Sequence, residues 1–117
     1  MREPIKDKGR IEHMLEMALA LNAEKSKLSL EAIKNDTVVF YGLSKMLEII
    51  GEAAYKLTIE FKSENTDLPW REITGMRHIL VHGYFSVSPE VIWDVIENDI
   101  PGMIPILRRY LEKWSIS

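Results

Sequence analysis

The chain has 117 residues, of which 46% are hydrophobic and 28% charged, and it contains no cysteine. This composition excludes a disordered chain, and the length predicts a single domain over residues 1–117. Without cysteine there is neither a disulfide framework nor thiolate chemistry. No apolar run approaches the roughly 20 residues of a membrane span, and residues 1–10 lack a signal-peptide pattern, so we expect a cytoplasmic protein with no membrane partner.

The charge balance is acidic, with a formal net charge of -3 and a pI of about 5.6. Broad nucleic-acid binding depends on many Lys and Arg contacts to phosphate, so any RNA contact of this chain must be local. Basic residues gather in the second half of the chain, namely Arg71, Arg77, Arg108, Arg109 and Lys113. For the last three, a solvated helix face explains the pattern best.

The first half of the chain predicts two long helices. From Asp7 to about Lys25, apolar residues recur every three or four positions, which predicts a helix with one buried stripe. That stripe comprises Ile11, Met14, Leu15, Ala18 and Leu21. A short turn of helix follows Ser29, and the second long helix is predicted to run from a cap at Asn35 or Asp36 to about Lys62.

The third helix is predicted to follow an Asp67 cap, with Pro69 as its first residue and Gly83 at its end. Its buried stripe would consist of Ile73, Met76, Ile79 and Leu80.

Ser88 followed by Pro89 predicts the start of a fourth helix. Pro101 and Pro105 do not fit an undisturbed helix, so residues 90–114 should form two pieces or one kinked piece. No stretch has a strand pattern. The sequence therefore predicts an all-α fold, an antiparallel bundle of four or five helices.

The segment "MRHILVHGY", residues 76–84, holds an arginine, two histidines and a tyrosine within an apolar stretch. His82 would lie in the last turn of the third helix, where the helix dipole favours a protonated imidazole. Arg77 lies about 140° away round the axis and could flank a common groove. Arginine binds phosphate and histidine moves protons near neutral pH, so the pair suits phosphodiester chemistry. Tyr84 would present a hydroxyl just beyond the helix end.

The same residues also allow an ordinary structural role. Arg77 could pair with a carboxylate, His82 could cap the helix end, and Tyr84 could pack by its ring. His78 and His82 have the i, i+4 spacing of metal ligands, but the Glu of an H-E-x-x-H motif and a third nearby ligand are missing. We therefore expect neither a metal nor a cofactor.

Four segments together carry a resemblance to a known family. They are "LEIIGEAA" from Leu47, "LPWREITGMR" from Leu68, "RHILVHGY" from Arg77 and "VIWDVIENDIP" from Val91. In this order and spacing they resemble the HepT-like branch of the HEPN superfamily over nearly the whole chain, including its R-x4-H-x-Y motif.

The resemblance implies a homodimeric helical bundle that acts as a metal-independent endoribonuclease toxin. Its implied partners are the RNA substrate and a nucleotidyltransferase antitoxin encoded beside it. Arg77 and His82 match the catalytic pair of the family, and two motif copies would face each other across the dimer groove. The antitoxin would neutralise the toxin by transferring AMP to the motif tyrosine, here Tyr84.

One position departs from the family pattern, because His78 stands where asparagine often follows the motif arginine. His78 could act as a second acid or base, replace an amide hydrogen bond, or signal altered activity. Glu48 and Glu52 could face the groove and orient Arg77, or could be solvated. The alternative function is a dimeric helical binding module that docks the nucleotidyltransferase and receives AMP without being an effective nuclease.

Overall fold

A computed structural model describes residues 4–83 and 86–115, with side chains from residue 6 onward. The helices are α1 (Pro4–Glu24), α2 (Leu30–Asn35), α3 (Thr37–Lys56), α4 (Ile59–Glu64), α5 (Trp70–His82), α6 (Pro89–Asp94) and α7 (Ile100–Ser115). A 3₁₀ turn, Lys25–Lys27, follows α1, and a π-helical segment, Val95–Asp99, joins α6 to α7. The described residues contain no strand, so the all-α prediction is confirmed.

The core forms round α3, which packs against α1, α2, α5 and α6, while α1 also packs against α7. The stripe predicted for α1 is confirmed, since Leu15 is half-buried and the other four members are fully buried, namely Ile11, Met14, Ala18 and Leu21. These side chains join one continuous hydrophobic cluster with residues of α3, α5, α6 and α7. Burial of this shared apolar surface is the main force that holds the helices together.

Neighbouring long helices run in opposite directions. Asp7, near the start of α1, bonds Thr58 just beyond the end of α3. One surface cleft is lined both by Phe40, near the start of α3, and by Leu80, near the end of α5. The antiparallel arrangement is therefore observed for the α1–α3 and α3–α5 pairs.

The prediction of a single second helix reaching Lys62 is wrong, because the chain leaves α3 at Leu57 and starts α4 after Thr58. The backbone N–H and hydroxyl of Thr58 donate to the buried carboxylate of Asp7 at 2.9 Å and 2.6 Å. The Thr58 hydroxyl oxygen also accepts from the N–H of Phe61 at 3.1 Å, which caps α4. Leu57 and Phe61 are both buried, so the apolar period continues through the break.

The start of the third long helix also differs from the prediction. Pro69 is the residue before α5 and not its first member, and no side chain caps this end. Asp67 instead accepts from the Tyr110 hydroxyl at 3.0 Å and pairs with Arg109 at 3.0 Å. The Tyr110 hydrogen bond is the main cause of a lowered pKa at Asp67. Burial, and then this same bond, raises the pKa of Tyr110 to about 12.

The first helix begins at Pro4, three residues before the predicted Asp7, whereas its predicted end near Lys25, the caps at Ser29, Asp36 and Ser88, and the end at Gly83 are confirmed. Asp36 caps α3 by accepting from the N–H groups of residues 38 and 39 at 3.0 Å and 3.2 Å. Ser29 caps α2, and Ser88 caps α6 with Pro89 in its first turn. Gly83 ends α5, where its N–H donates to the carbonyl of Ile79 at 2.7 Å.

The last helical region is one continuous stretch, residues 89–115, whose middle is π-helical. Pro101 is the second residue of α7, two positions after the end of the π-helical segment, and Pro105 lies further inside α7. A proline has no N–H to donate and its ring clashes with the carbonyl four residues earlier, and a wider π turn relieves that crowding. Within residues 4–83 and 86–115, no helix is both long enough and apolar enough to span a bilayer.

Candidate active site

Residues 76–82 of the motif segment lie on the last two turns of α5, where this helix packs closely against α3. A Cβ atom placed on Gly51 of α3 would come 2.4 Å from the Cβ of Arg77 and 3.1 Å from the carbonyl oxygen of Ile73. Only a glycine permits this approach without a shift of one helix. The close crossing sets Arg77 beside the side chains that follow Gly51 on α3.

Arg77 is held by two residues of α3. Its Nε donates to Oε1 of Glu52 at 2.6 Å, and its guanidinium carbon lies 4.9 Å from the centre of the Tyr55 ring. The other carboxylate oxygen of Glu52 lies 3.3 Å from Nζ of Lys56. The hydrogen bond from Arg77 is the main cause of a lowered pKa at Glu52, so this carboxylate stays charged at neutral pH.

The terminal amino groups of Arg77 have no hydrogen-bond partner among the residues that the structure describes. The Arg77 side chain is 23% exposed to solvent. The pairing with a carboxylate that the sequence allowed is therefore present, and of the two candidate glutamates it is Glu52 that makes it. Glu48 pairs with Lys45 at 3.2 Å instead.

Both histidines of the motif are exposed on α5. The ring centres of His78 and His82 lie 4.8 Å apart, with the rings tilted by 52°. His82 is the last residue of α5, as the sequence predicted. Within one chain, however, Arg77 faces α3, and neither histidine bonds or stacks with it. The structure thus places His78 beside His82, and the two predicted catalytic residues share one end of α5 without contacting each other.

Tyr84 lies outside the described residues, directly after the Gly83 that ends α5. Elsewhere in the described ranges, no group of three or more His, Asp or Glu side chains is placed to hold a metal ion. The two histidines therefore have no further protein ligand of this kind in the part of the chain that can be seen.

Two of the basic residues near the end of the chain contact another part of the bundle. Arg109 pairs with Asp67, and Nζ of Lys113 donates to the side chain of Asn65. Both contacts join α7 to the connection between α4 and α5. Arg108 is exposed, in agreement with the predicted solvated face.

An apolar groove lies on the side of α5 away from Arg77, between this helix and the α6–α7 stretch, with a volume of about 770 Å³. Ile79 and Val91 line it and remain 52% and 55% exposed. The prediction that Ile79 is buried is wrong, because within the described residues no side chain fills this groove above it. The helical period alone assigned Ile79 to the buried stripe.

Sequence reasoning missed the contact of Tyr55 with Arg77 and the close approach at Gly51. Gly51 did carry a signal, since a glycine inside a strong helical pattern often marks close packing. Tyr55 carried none, because its role depends on a residue of another helix.

Residues 10–110 match the protein family described as Ribonuclease HepT-like. A protein of Caldanaerobacter subterraneus subsp. tengcongensis named "Putative RNase" is 36% identical over 103 residues, which cover 88% of this chain and 92% of the relative. "Probable ribonuclease HepT" of Thermococcus cleftensis is 40% identical over 63 residues, or 54% of this chain and 57% of the relative. No solved structure matches the chain.

Proposed function

Since the chain belongs to the HepT-like ribonuclease family, we propose that it is an endoribonuclease that cleaves RNA without a metal ion. One observation carries this proposal. The guanidinium of Arg77 is fixed by Glu52 with its terminal donors open, and the exposed imidazole of His82 lies on the same two turns of helix. A phosphate-binding group and a proton-transfer group thus share one end of α5.

The chemistry follows from these two groups. The ribose 2′-hydroxyl attacks the adjacent phosphorus, a bond from its oxygen forms, and the bond to the 5′-oxygen of the next nucleotide breaks. One base removes the 2′-hydroxyl proton and one acid protonates the leaving 5′-oxygen. His82 serves in this proton transfer, and Arg77 stabilises the negative charge that develops on the phosphate oxygens.

The sequence leaves three roles open for His78, namely a second acid or base, a replacement for an amide hydrogen bond, or a sign of altered activity. Its ring lies 4.8 Å from that of His82, which favours a second acid or base over the other two roles.

The active form is a homodimer in this proposal. Arg77 and His82 do not contact each other within one chain, and a second motif copy would bring a histidine to each arginine from outside. Exposed Ile79 and Val91 in the apolar groove also offer a surface that a partner would cover.

The chain further acts, in this proposal, as the cytoplasmic toxin of a toxin–antitoxin pair. A nucleotidyltransferase antitoxin transfers AMP from ATP to the hydroxyl of Tyr84, with release of pyrophosphate. The added phosphate would lie two residues from His82 and occupy the place of the RNA phosphate. Intact mass after incubation with this transferase and ATP tests the step. A gain of AMP units that persists in Tyr84→Phe would place the modification elsewhere.

Cleavage of RNA in the presence of EDTA tests the ribonuclease function. We expect Arg77→Ala and His82→Ala each to lower the rate by about 100-fold or more, because each removes a group that acts in the transition state. Arg108→Ala and His13→Ala are matched controls, since both residues are exposed on other helices. A folded His82→Ala protein with full activity would remove His82 from the mechanism and implicate His78.

A binding module remains the second candidate, and the net charge of -3 favours it. A wild-type dimer that accepts AMP but leaves RNA intact in EDTA would decide for this function.

A further inference from the structure

We propose that Glu52 is a positioning residue for Arg77, which turns the terminal amino groups of the guanidinium towards the RNA phosphate. This inference rests on the proposed ribonuclease function. Glu52 does not touch the substrate in this arrangement. It acts through the bond that joins its Oε1 to the Nε of Arg77 at 2.6 Å.

The geometry of the guanidinium gives the direction. Arginine has five N–H donors in one plane, one on Nε and four on the two terminal nitrogens. Glu52 occupies the Nε donor, and the ring of Tyr55 lies against one face at 4.9 Å. The edge formed by the two terminal nitrogens is therefore the part left for a ligand, and this edge makes the bidentate pairs with phosphate.

Glu52 is itself fixed from two sides. Its second oxygen lies 3.3 Å from Nζ of Lys56, one helical turn further along α3. Gly51 directly precedes Glu52 and lets the backbones of α3 and α5 approach closely. The Arg77 side chain therefore runs alongside α3. Both features keep the Glu52 carboxylate beside Arg77.

The pair also has a charge consistent with a phosphate site. Lys56, Glu52 and Arg77 together carry one net positive charge, so the carboxylate does not cancel the attraction for phosphate. The Glu52 and Arg77 side chains are 36% and 23% exposed, which leaves the site open to solvent. An ion pair that remains accessible to solvent contributes little to folding, so stability alone is a weak reason for this contact.

The test separates binding from turnover in Glu52→Ala, Glu52→Gln and the control Glu48→Ala. Glu48 lies one turn earlier on α3 and pairs with Lys45, so its removal changes the charge equally without releasing Arg77. Cleavage kinetics give kcat, and an oligonucleotide with 2′-deoxy at the scissile nucleotide, which cannot be cleaved, gives the dissociation constant.

We expect Glu52→Ala to lower kcat by roughly 10- to 100-fold, since a small misplacement of a catalytic group has effects of this size. Affinity for the uncleavable oligonucleotide should stay equal or rise, because a negative charge is lost near the phosphate. Glu52→Gln should recover part of kcat, since its amide oxygen still accepts from Nε. Glu48→Ala should keep the wild-type kcat.

A Glu52→Ala protein with wild-type kcat, in an enzyme that Arg77→Ala inactivates, would overturn the inference and leave the proposed function standing. A kcat that falls equally in Glu48→Ala would also overturn it, because the effect would then follow charge and not contact.

If wild type fails to cleave RNA, the proposed function fails, and NMR of the Arg77 Nε–H group decides the positioning separately. Slow hydrogen exchange in wild type that becomes fast in Glu52→Ala supports the fixed guanidinium. Equal exchange in both proteins overturns it.

Discussion

Gly51 is the residue on which the position of Arg77 depends most directly. Its φ is not in the left-handed region, so its need for glycine is steric, and the three atoms nearest to an added Cβ all belong to α5. Gly42, in the same helix, has no neighbouring atom within 4 Å of an added Cβ. The two glycines therefore separate the cost of a close helix crossing from the general effect of glycine in a helix.

We expect Gly51→Ala to lower the free energy of unfolding by about 1–3 kcal/mol or more, because the new methyl group forces α3 and α5 apart. Gly42→Ala should raise it by about 0.5–1 kcal/mol, since alanine favours the helix. Urea unfolding of the two variants measures both effects. Equal stability of the two proteins would contradict the close approach at Gly51.

The sequence could predict Arg77 and His82 as candidates, because their types and spacing are local features of one helix. It could not choose between Glu48 and Glu52. These residues lie four apart on the same face of α3, and only the docking of α5 decides which of them meets Arg77. The contact of Tyr55 with Arg77 is non-local in the same way.

The connection between α3 and α4 is held by the contact of Thr58 with Asp7. The two residues are 51 positions apart in sequence and both are buried. The side chain of Thr58 satisfies a buried carboxylate oxygen and caps α4 at the same time. One hydroxyl therefore joins the start of α4 to the start of α1.

Thr58→Val removes this hydroxyl with little change of shape and leaves one oxygen of the buried Asp7 without its partner. We expect a loss of about 1–3 kcal/mol in the free energy of unfolding, the cost of an unsatisfied buried group. Thr58→Ser keeps the hydroxyl and should lose less. Denaturant unfolding of both variants measures the difference. Similar losses in both would show that the methyl group, and not the hydroxyl, matters at this joint.

Helix starts at Ser29, Asp36 and Ser88 could be predicted, because a cap acts on N–H groups two or three residues ahead in the same segment. The break at Thr58 could not, because the apolar period continues through it and the bonding partner lies on α1. Asp67 failed as a predicted cap for a related reason, since Tyr110 and Arg109 of α7 engage it instead.

The molecule carries a net charge of -3, which opposes RNA binding unless positive charge is concentrated at the site. Several cations in the described part are already paired with carboxylates, namely Lys45, Lys56, Arg77 and Arg109. These pairings reduce the positive charge that one protomer offers to RNA. A dimer would bring two motif copies into one groove. The positive charge at the site would then double without the need for a basic surface elsewhere on the protein.

The apolar groove beside α5 is a surface that a second copy of the chain could cover in this dimer. Val91 lines the groove, whereas Val38 lies at the start of α3 and does not, and the two are 55% and 81% exposed. An aspartate at either position should leave the protomer folded, because neither side chain belongs to the core. If a second copy covers the groove, Val91→Asp should raise the dissociation constant of the dimer by about tenfold or more, which corresponds to roughly 1.4 kcal/mol. Val38→Asp should leave this constant unchanged.

Sedimentation over a dilution series measures the dissociation constant, and the cleavage rate per protomer is measured at each concentration. We expect the rate per protomer of the wild type to fall as the dimer dissociates, and to fall at higher concentrations in Val91→Asp. A wild-type monomer at micromolar concentration that cleaves at full rate would show that one motif copy suffices.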